Sequence, residues 1–186
     1  ECDKENIEFL STPFDSEAAE FLNDLMNVYK ISSSDLTNHP FIEHICSFNK
    51  PIILSTGASH LWEIQETVDL IEKKQNPLCL MHCVLNYPTE DQSASLGKII
   101  GLKNKFPDHQ IGYSDHTLPL NDLESVFISY LLGAKIIEKH FTHDKSLPGN
   151  DHYHAMDKYD LRKIRNRFEN ARTLLGHSKE IKINNN

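Results

Sequence analysis

The chain predicts a parallel α/β fold, an incomplete (β/α)8 barrel, and three observations predict it. Short β-prone runs alternate with amphipathic helical patterns along its 186 residues. Polar, chemically capable residues stand at nearly every strand end: Ser11-Thr12, Lys30, Ser55-Thr56, His82, Ser114 to His116, and Glu138 to His140. The glycines Gly57, Gly101, Gly112, Gly133 and Gly149 are scattered and build no glycine-rich first turn of the kind a doubly wound nucleotide binder carries. A ring of functional strand ends is what a barrel active site requires. Six β-prone runs fall short of eight, so about two units of a barrel of roughly 250 residues are expected to be missing.

The predicted strands are Ile7 to Leu10, Val28 to Ile31, Ile52 to Leu54, Leu78 to His82, Ile111 to Tyr113 and Ile136 to His140. A first helix follows the N-cap pair Asp15-Ser16 and offers Phe21, Leu22, Leu25 and Met26. A short helix starts near Pro40 with Phe41, Ile42 and Ile45, and another follows Ser59 with Leu61, Ile64, Val68 and Ile71 spaced three and four apart. Leu96, Ile99, Ile100 and Leu102 mark the next, and Leu123 to Leu132 a more thoroughly buried one. The last carries Leu161, Ile164, Phe168, Ala171 and Leu174, with Arg and Lys on its other faces. No linker divides the chain. The barrel part is expected over residues 1–178 and a C-terminal tail, or the start of a linker, over 179–186.

A net charge of −8, with acidic residues spread throughout, gives no electrostatic reason to expect a nucleic-acid partner. No apolar stretch approaches the roughly 20 residues of a membrane span, and no basic-then-apolar signal opens the chain. Cys2, Cys46, Cys79 and Cys83 make no short disulfide framework, so reduced thiols in a cytoplasmic protein are expected. Cys79 and Cys83, with His82 between them, lack the second cysteine pair of a structural zinc site and are expected as packed thiols.

The densest chemistry lies in Ser114-Asp115-His116 and, one βα unit later, Glu138-Lys139-His140. Strand side chains alternate, so Ser114 and His116 share one face, Glu138 and His140 share one face of the next strand, and Asp115 and Lys139 point behind it, placed to form an ion pair. Imidazole nitrogens with oxygen donors suit a divalent ion such as Mn²⁺ or Zn²⁺ with positions left open. The alternative is a pair of hydrogen-bonded histidines beside a buried ion pair.

The strings STPFD at 11–15, KISSSDLTN at 30–38, KPIILSTG at 50–57, HCVLNYPT at 82–89, GYSDHT at 112–117, EKHFT at 138–142 and PGNDH at 148–152 together resemble the sialic acid synthase family. The likeness runs over nearly the whole chain and keeps the order of the motifs. It implies a TIM barrel represented here by strands three to eight, with the first two strands and an antifreeze-like C-terminal domain outside the chain. It also implies condensation of phosphoenolpyruvate with N-acetylmannosamine, its 6-phosphate or a related N-acylated hexosamine, in a homodimer that uses a divalent metal, Mn²⁺ or else Mg²⁺ or Co²⁺.

By motif position the resemblance makes His116 and His140 the metal ligands. Lys30, Thr12, Ser33 and Ser114 then surround phosphoenolpyruvate, and Asp35, Tyr87 and Asp151 face the sugar. Asn86 stands next to Leu85, where some members carry Asn, and joins the substrate contacts. Lys30 and Glu138 are the catalytic candidates, Glu138 as a proton acceptor or water-orienting group. His82 and His152 are expected to be structural, and His39, His44, His60, His109, His143, His154 and His177 to be exposed in helices or loops. Trp62 is expected to pack. Rival readings are a metal-dependent hydrolase on the same barrel and a non-catalytic binding module derived from it. Lacking two strands, the chain expressed alone is expected to be inactive and to associate through its unpaired edges.

Overall fold

The computed structural model describes residues 1–176. The expected tail at 179–186 and His177 lie outside the described residues. In order, the elements are α1 (Ser16–Asn23), β1 (Tyr29–Ile31), α2 (His39–Cys46), β2 (Ile52–Ser55), α3 (Leu61–Lys73), β3 (Leu78–His82), α4 (Gly97–Lys105), β4 (Gln110–Asp115), α5 (Glu124–Leu131), β5 (Ile137–Lys139) and α6 (Lys158–Leu175). The caps follow the sequence: the Asp15 carboxylate accepts from the Ala18 amide, and Asp157 accepts from the Tyr159 and Asp160 amides, filling orphan donors of a first turn.

The five strands pair in parallel in the order β1-β2-β3-β4-β5. Sequential order with one-handed crossovers keeps successive helices on one face of a sheet, whereas a doubly wound sheet reverses its order partway. The packing agrees. Tyr29, Ile31, Ile52, Leu54, Leu78, Leu80, Ile111 and Tyr113 form one core with side chains of α1 to α4, and Ile137 joins Val126 of α5 and Ile164 of α6.

The alternate side chains form the other face, where Ile53, Cys79 and Met81 cluster with Val28 and Ile136. Gly112 has no room for a side chain there: a Cβ would stand 2.2 Å from Met81 Sδ and 2.7 Å from the Ile136 carbonyl oxygen. This face is concave. In a flat sheet β1 and β5 would be about 19 Å apart, four strand spacings, yet Lys30 Nζ of β1 lies 3.4 Å from Glu138 Oε2 of β5. The sheet therefore curls as part of a barrel wall.

Four expectations need correction. Residues 7–10 form no strand; their neighbours are reached through side chains, with Asn27 Nδ2 donating to Glu8 Oε1 at 3.0 Å, while Glu8 and Leu10 line a cleft at the amino ends of the strands. An apolar run becomes a strand only when a ladder satisfies its backbone. In α1 the buried side is Ala19 and Leu22, with Met26 just beyond, and Phe21 and Leu25 are exposed; small Ala19 lets the Tyr29 hydroxyl reach its carbonyl at 2.7 Å. The α5 helix is less buried than its composition suggests, since only Val126 and Ser129 within it are buried and Ile128 and Leu131 are exposed. Trp62 is 61% exposed and stacks on His60 instead of packing in the core.

Candidate active site

Beyond the carboxyl ends of β1, β4 and β5 the concave face turns polar. Register pairs Ser114 with Glu138 and Asp115 with Lys139. The Ser114 hydroxyl donates to Glu138 Oε1 at 2.6 Å, and Lys30 approaches Oε2 of the same carboxylate. Lys30 and Ser114 are both buried, so an ammonium and a hydroxyl converge on one anionic group that itself keeps partial access to water. In a partly desolvated setting such charge-assisted contacts are stronger than in bulk solvent.

Next to this lies a group of rings. The centroids of His116 and His140 are 5.4 Å apart in a T-shaped arrangement, and Tyr87 covers His116 at 4.1 Å. His116 Nδ1 meets the Val84 carbonyl oxygen at 3.1 Å, which as a donor contact leaves Nε2 as the acceptor and possible ligand. Burial lowers the His116 pKa from its ordinary value; the Val84 carbonyl opposes that and His140 adds to it. Burial, with the charges of Glu138 and Asp151 among the other causes, raises the Tyr87 phenol.

The loop after β5 completes the group. His140 Nδ1 stands 3.6 Å from Asp151 Oδ1, and His154 Nε2 stands 4.0 Å from the same oxygen. One ligand atom from each of His140, Asp151 and His154 lies within 4.8 Å of the others. His154 was expected in solvent. It is instead fully buried under Tyr87, Tyr153 and His140, and neither ring nitrogen has a hydrogen-bond partner. Its signal in the sequence was its place three residues after Asp151 in a polar loop, a spacing that can return two ligand atoms to one side.

The other candidates are placed less tightly. Ser33 is buried just after β1, while Asp35, in the same turn, accepts from Ser34 and Asn38 and not from the ring group. Asn86 is exposed and its carbonyl accepts from Thr89. Thr12 is half-buried ahead of α1, and its side chain is not hydrogen-bonded to Lys30 or Ser114. His82 and His152 are structural as expected, bonded to the Ala94 carbonyl and to Thr142 Oγ1. Cys79 and Cys83 are buried free thiols, and burial pushes Cys79 up to about 11.

Behind the site, Lys139 Nζ and Asp115 Oδ2 form the expected ion pair at 2.5 Å, both side chains all but inaccessible. This fixes the strand register and hence the direction in which Ser114, His116, Glu138 and His140 point.

The curled, singly wound βα sheet with cationic, hydroxyl and imidazole groups at its strand ends is part of a TIM-barrel wall, polar at the carboxyl ends of its strands. The family follows from its relatives. The model of the NeuB family matches residues 1–180, and the chain belongs to that family. It is 37% identical over 175 residues to N,N'-diacetyllegionaminic acid synthase of Campylobacter jejuni, covering 92% of this chain and 51% of that protein. It is 36% identical over 168 residues to N-acetylneuraminate-9-phosphate synthase of Drosophila melanogaster, covering 88% and 44%. A crystal structure of the N-acetylneuraminic acid synthetase of Leptospira borgpetersenii, in complex with citrate, superposes with a TM-score of 0.89 at 35% identity, over 98% of this chain and 63% of that one. The chain thus spans about half the length of the curated relatives it matches. Among the described residues no helix is long and apolar enough to cross a membrane.

Proposed function

We propose that this chain carries the reacting half of a synthase that condenses phosphoenolpyruvate with an N-acylated hexosamine, N-acetylmannosamine or its 6-phosphate among them, to give a nonulosonic acid and phosphate. The observation that carries the proposal is the convergence of Lys30 and Ser114 on one carboxylate beside the imidazole group. A pocket that holds the Glu138 anion with an ammonium and a hydroxyl has the donors that a phosphate or carboxylate of phosphoenolpyruvate needs.

In this reading Lys30, Ser114, Ser33 and Thr12 hold the phosphate and carboxylate, while Tyr87, Asp35, Asn86 and Asp151 face the sugar. The enol carbon attacks the sugar aldehyde, water adds to the resulting oxocarbenium carbon, and the tetrahedral product expels phosphate through C–O cleavage. Glu138, aimed inward with His140, takes the proton from the adding water. Lys30 balances the charge on the departing phosphate. The donor set fits a divalent cation: His116 keeps one ring nitrogen free, and its ring stands across from His140. Held by His116 and His140, Mn²⁺, or Mg²⁺ or Co²⁺ in its place, would supply a Lewis acid for the aldehyde oxygen. The same reading includes a homodimer and a cytoplasmic setting.

The test is phosphate release by the full-length protein, flanking segments included, with phosphoenolpyruvate, Mn²⁺ and N-acetylmannosamine, each omitted in turn. Release that needs both organic substrates, with a nonulosonic acid as co-product, is expected. Release without the sugar would point to a hydrolase and overturn the reading.

A further inference from the structure

We infer that His154 and Asp151 are ligands of a divalent cation shared with His140, so that the loop after β5 supplies two of the protein's ligand atoms. The inference deepens the proposed function, on which the presence of a metal at this place rests.

The first observation is an unsatisfied group. His154 is fully buried with both ring nitrogens unpartnered. A buried polar group without a partner costs about 1–3 kcal/mol, so a buried imidazole is ordinarily bonded, as His82 is here. An apolar ring would fill the space under Tyr87 and Tyr153 without that penalty. A ligand that takes up the free nitrogen removes it.

The second observation is geometry. The nitrogen faces Asp151 Oδ1 at 4.0 Å, and the same oxygen faces His140 Nδ1 at 3.6 Å. Two atoms bound about 2.1 Å from one ion stand about 3.0 Å apart at a right angle and about 3.5 Å apart at the tetrahedral angle. The two separations to Asp151 therefore need to close by about 0.1–1 Å, and the third, between the two imidazoles, starts from no more than 4.8 Å. Neither contact is a hydrogen bond, so none has to be broken.

The third observation is chemical type. The imidazoles of His140 and His154 and the Asp151 carboxylate, with positions left for His116 and for substrate, form a set that suits Mn²⁺, Fe²⁺, Co²⁺ or Zn²⁺ better than Mg²⁺, which favours oxygen ligands and retained water. Asp151 contributes one oxygen, leaving Oδ2 for a sugar hydroxyl. The set thus makes the cation preference a property of this loop.

The experiment is Mn²⁺ binding to the full chain without substrates, followed by the fall of the free-Mn²⁺ electron paramagnetic resonance signal. The proteins compared are wild type, His154→Phe and Asp151→Asn, with circular dichroism melts to confirm folding. Changing a group that only supports a ligand typically lowers metal affinity about 10–100-fold, so each variant should weaken Mn²⁺ binding at least about tenfold. Pulsed measurements on the bound ion should lose one coupled imidazole nitrogen in His154→Phe and none in Asp151→Asn. Should Phe perturb packing, His154→Gln keeps a polar group of similar length, and the same loss of one nitrogen is expected. Mn²⁺ affinity within twofold of wild type in folded His154→Phe, or an unchanged nitrogen count, overturns the inference. Because no organic substrate is present, a failure of the synthase reading would leave these outcomes unaffected and would appear only in the phosphate-release assay.

Discussion

The two faces of the β4–β5 pair carry the same kinds of residue and treat them in opposite ways. On the helix side each buried side-chain polar atom of this pair has a partner. Asp115 Oδ1 accepts from the Tyr113 hydroxyl, the Thr117 amide and hydroxyl, and Ser125, while Lys139 donates to Asp115 Oδ2 and to the Thr117 carbonyl. On the concave side the bonding is incomplete. His116 keeps a free nitrogen, His154 has two, Asp151 is 67% exposed, and Glu138 is 42% exposed although it holds Lys30 and Ser114. One residue along a strand separates a closed network from an open one. Residue type alone says little about function; what separates structure from chemistry is whether the bonding capacity is filled.

The largest effect expected from this contrast is on the closed side. Lys139→Met leaves the Asp115 charge buried without its cation, and breaking a buried pair this way costs about 3–5 kcal/mol of stability. Urea unfolding should show it, and adding Asp115→Asn should recover part of the loss. A change below about 1 kcal/mol would mean that the helix-side network does not hold the register.

On the open side a comparable substitution should fall on turnover. On the proposed function, Lys30→Met should deprive the phosphoenolpyruvate anion of a charge-assisted partner worth about 1.5–3 kcal/mol and lower kcat/KM for phosphoenolpyruvate about 10–100-fold. Stability should move far less, because Glu138 keeps Ser114 and partial access to water. A Lys30→Met protein that unfolds readily while its kcat/KM is unaltered would reverse the comparison. Ser114→Ala removes a hydrogen bond worth about 0.5–1.5 kcal/mol, so steady-state kinetics should show a smaller loss of the same kind; no loss at all would remove Ser114 from the anion contacts.

The contrast was legible in the sequence where it depended on alternation. Strand period fixes that Asp115 and Lys139 share the face opposite Ser114 and Glu138, so the ion pair and the inward hydroxyl–carboxylate contact follow from two tripeptides. Where a loop or a tertiary contact decides, the sequence offers at most a spacing. His154 lies in a segment without period, and its burial comes from Tyr87, 67 positions before it in sequence, and from neighbouring Tyr153. The missing ladder at residues 7–10 and the outward turn of Trp62 and Leu131 likewise depend on what packs beside them. Composition along one element does not contain that information.

The smallest expected effect is a pH dependence on the helix side, at His82. Its ring is buried against Tyr113 and meets the Ala94 carbonyl oxygen at 2.8 Å. Burial lowers its pKa from the ordinary 6.5, with the Ala94 carbonyl opposing and Lys98 adding to the shift. Below about pH 6.5 the unfolded chain therefore takes up a proton that the folded chain refuses. Stability from this group is complete above the unfolded pKa and is lost as pH falls from there toward the folded value, at no more than about 1.4 kcal/mol per pH unit for one proton. His116 and His154 shift in the same direction and add to the slope, so wild type alone cannot isolate His82. His82→Gln keeps a donor for the Ala94 carbonyl and removes the titration. Urea unfolding of both metal-free proteins at pH 7.5, 6.5 and 5.5 should show a shallower loss of stability on acidification in the variant, with little difference between pH 7.5 and 6.5. Equal slopes below pH 6.5 would mean that the His82 ring carries its proton in the fold as readily as outside it, and that the helix side is not as closed as its hydrogen bonds imply.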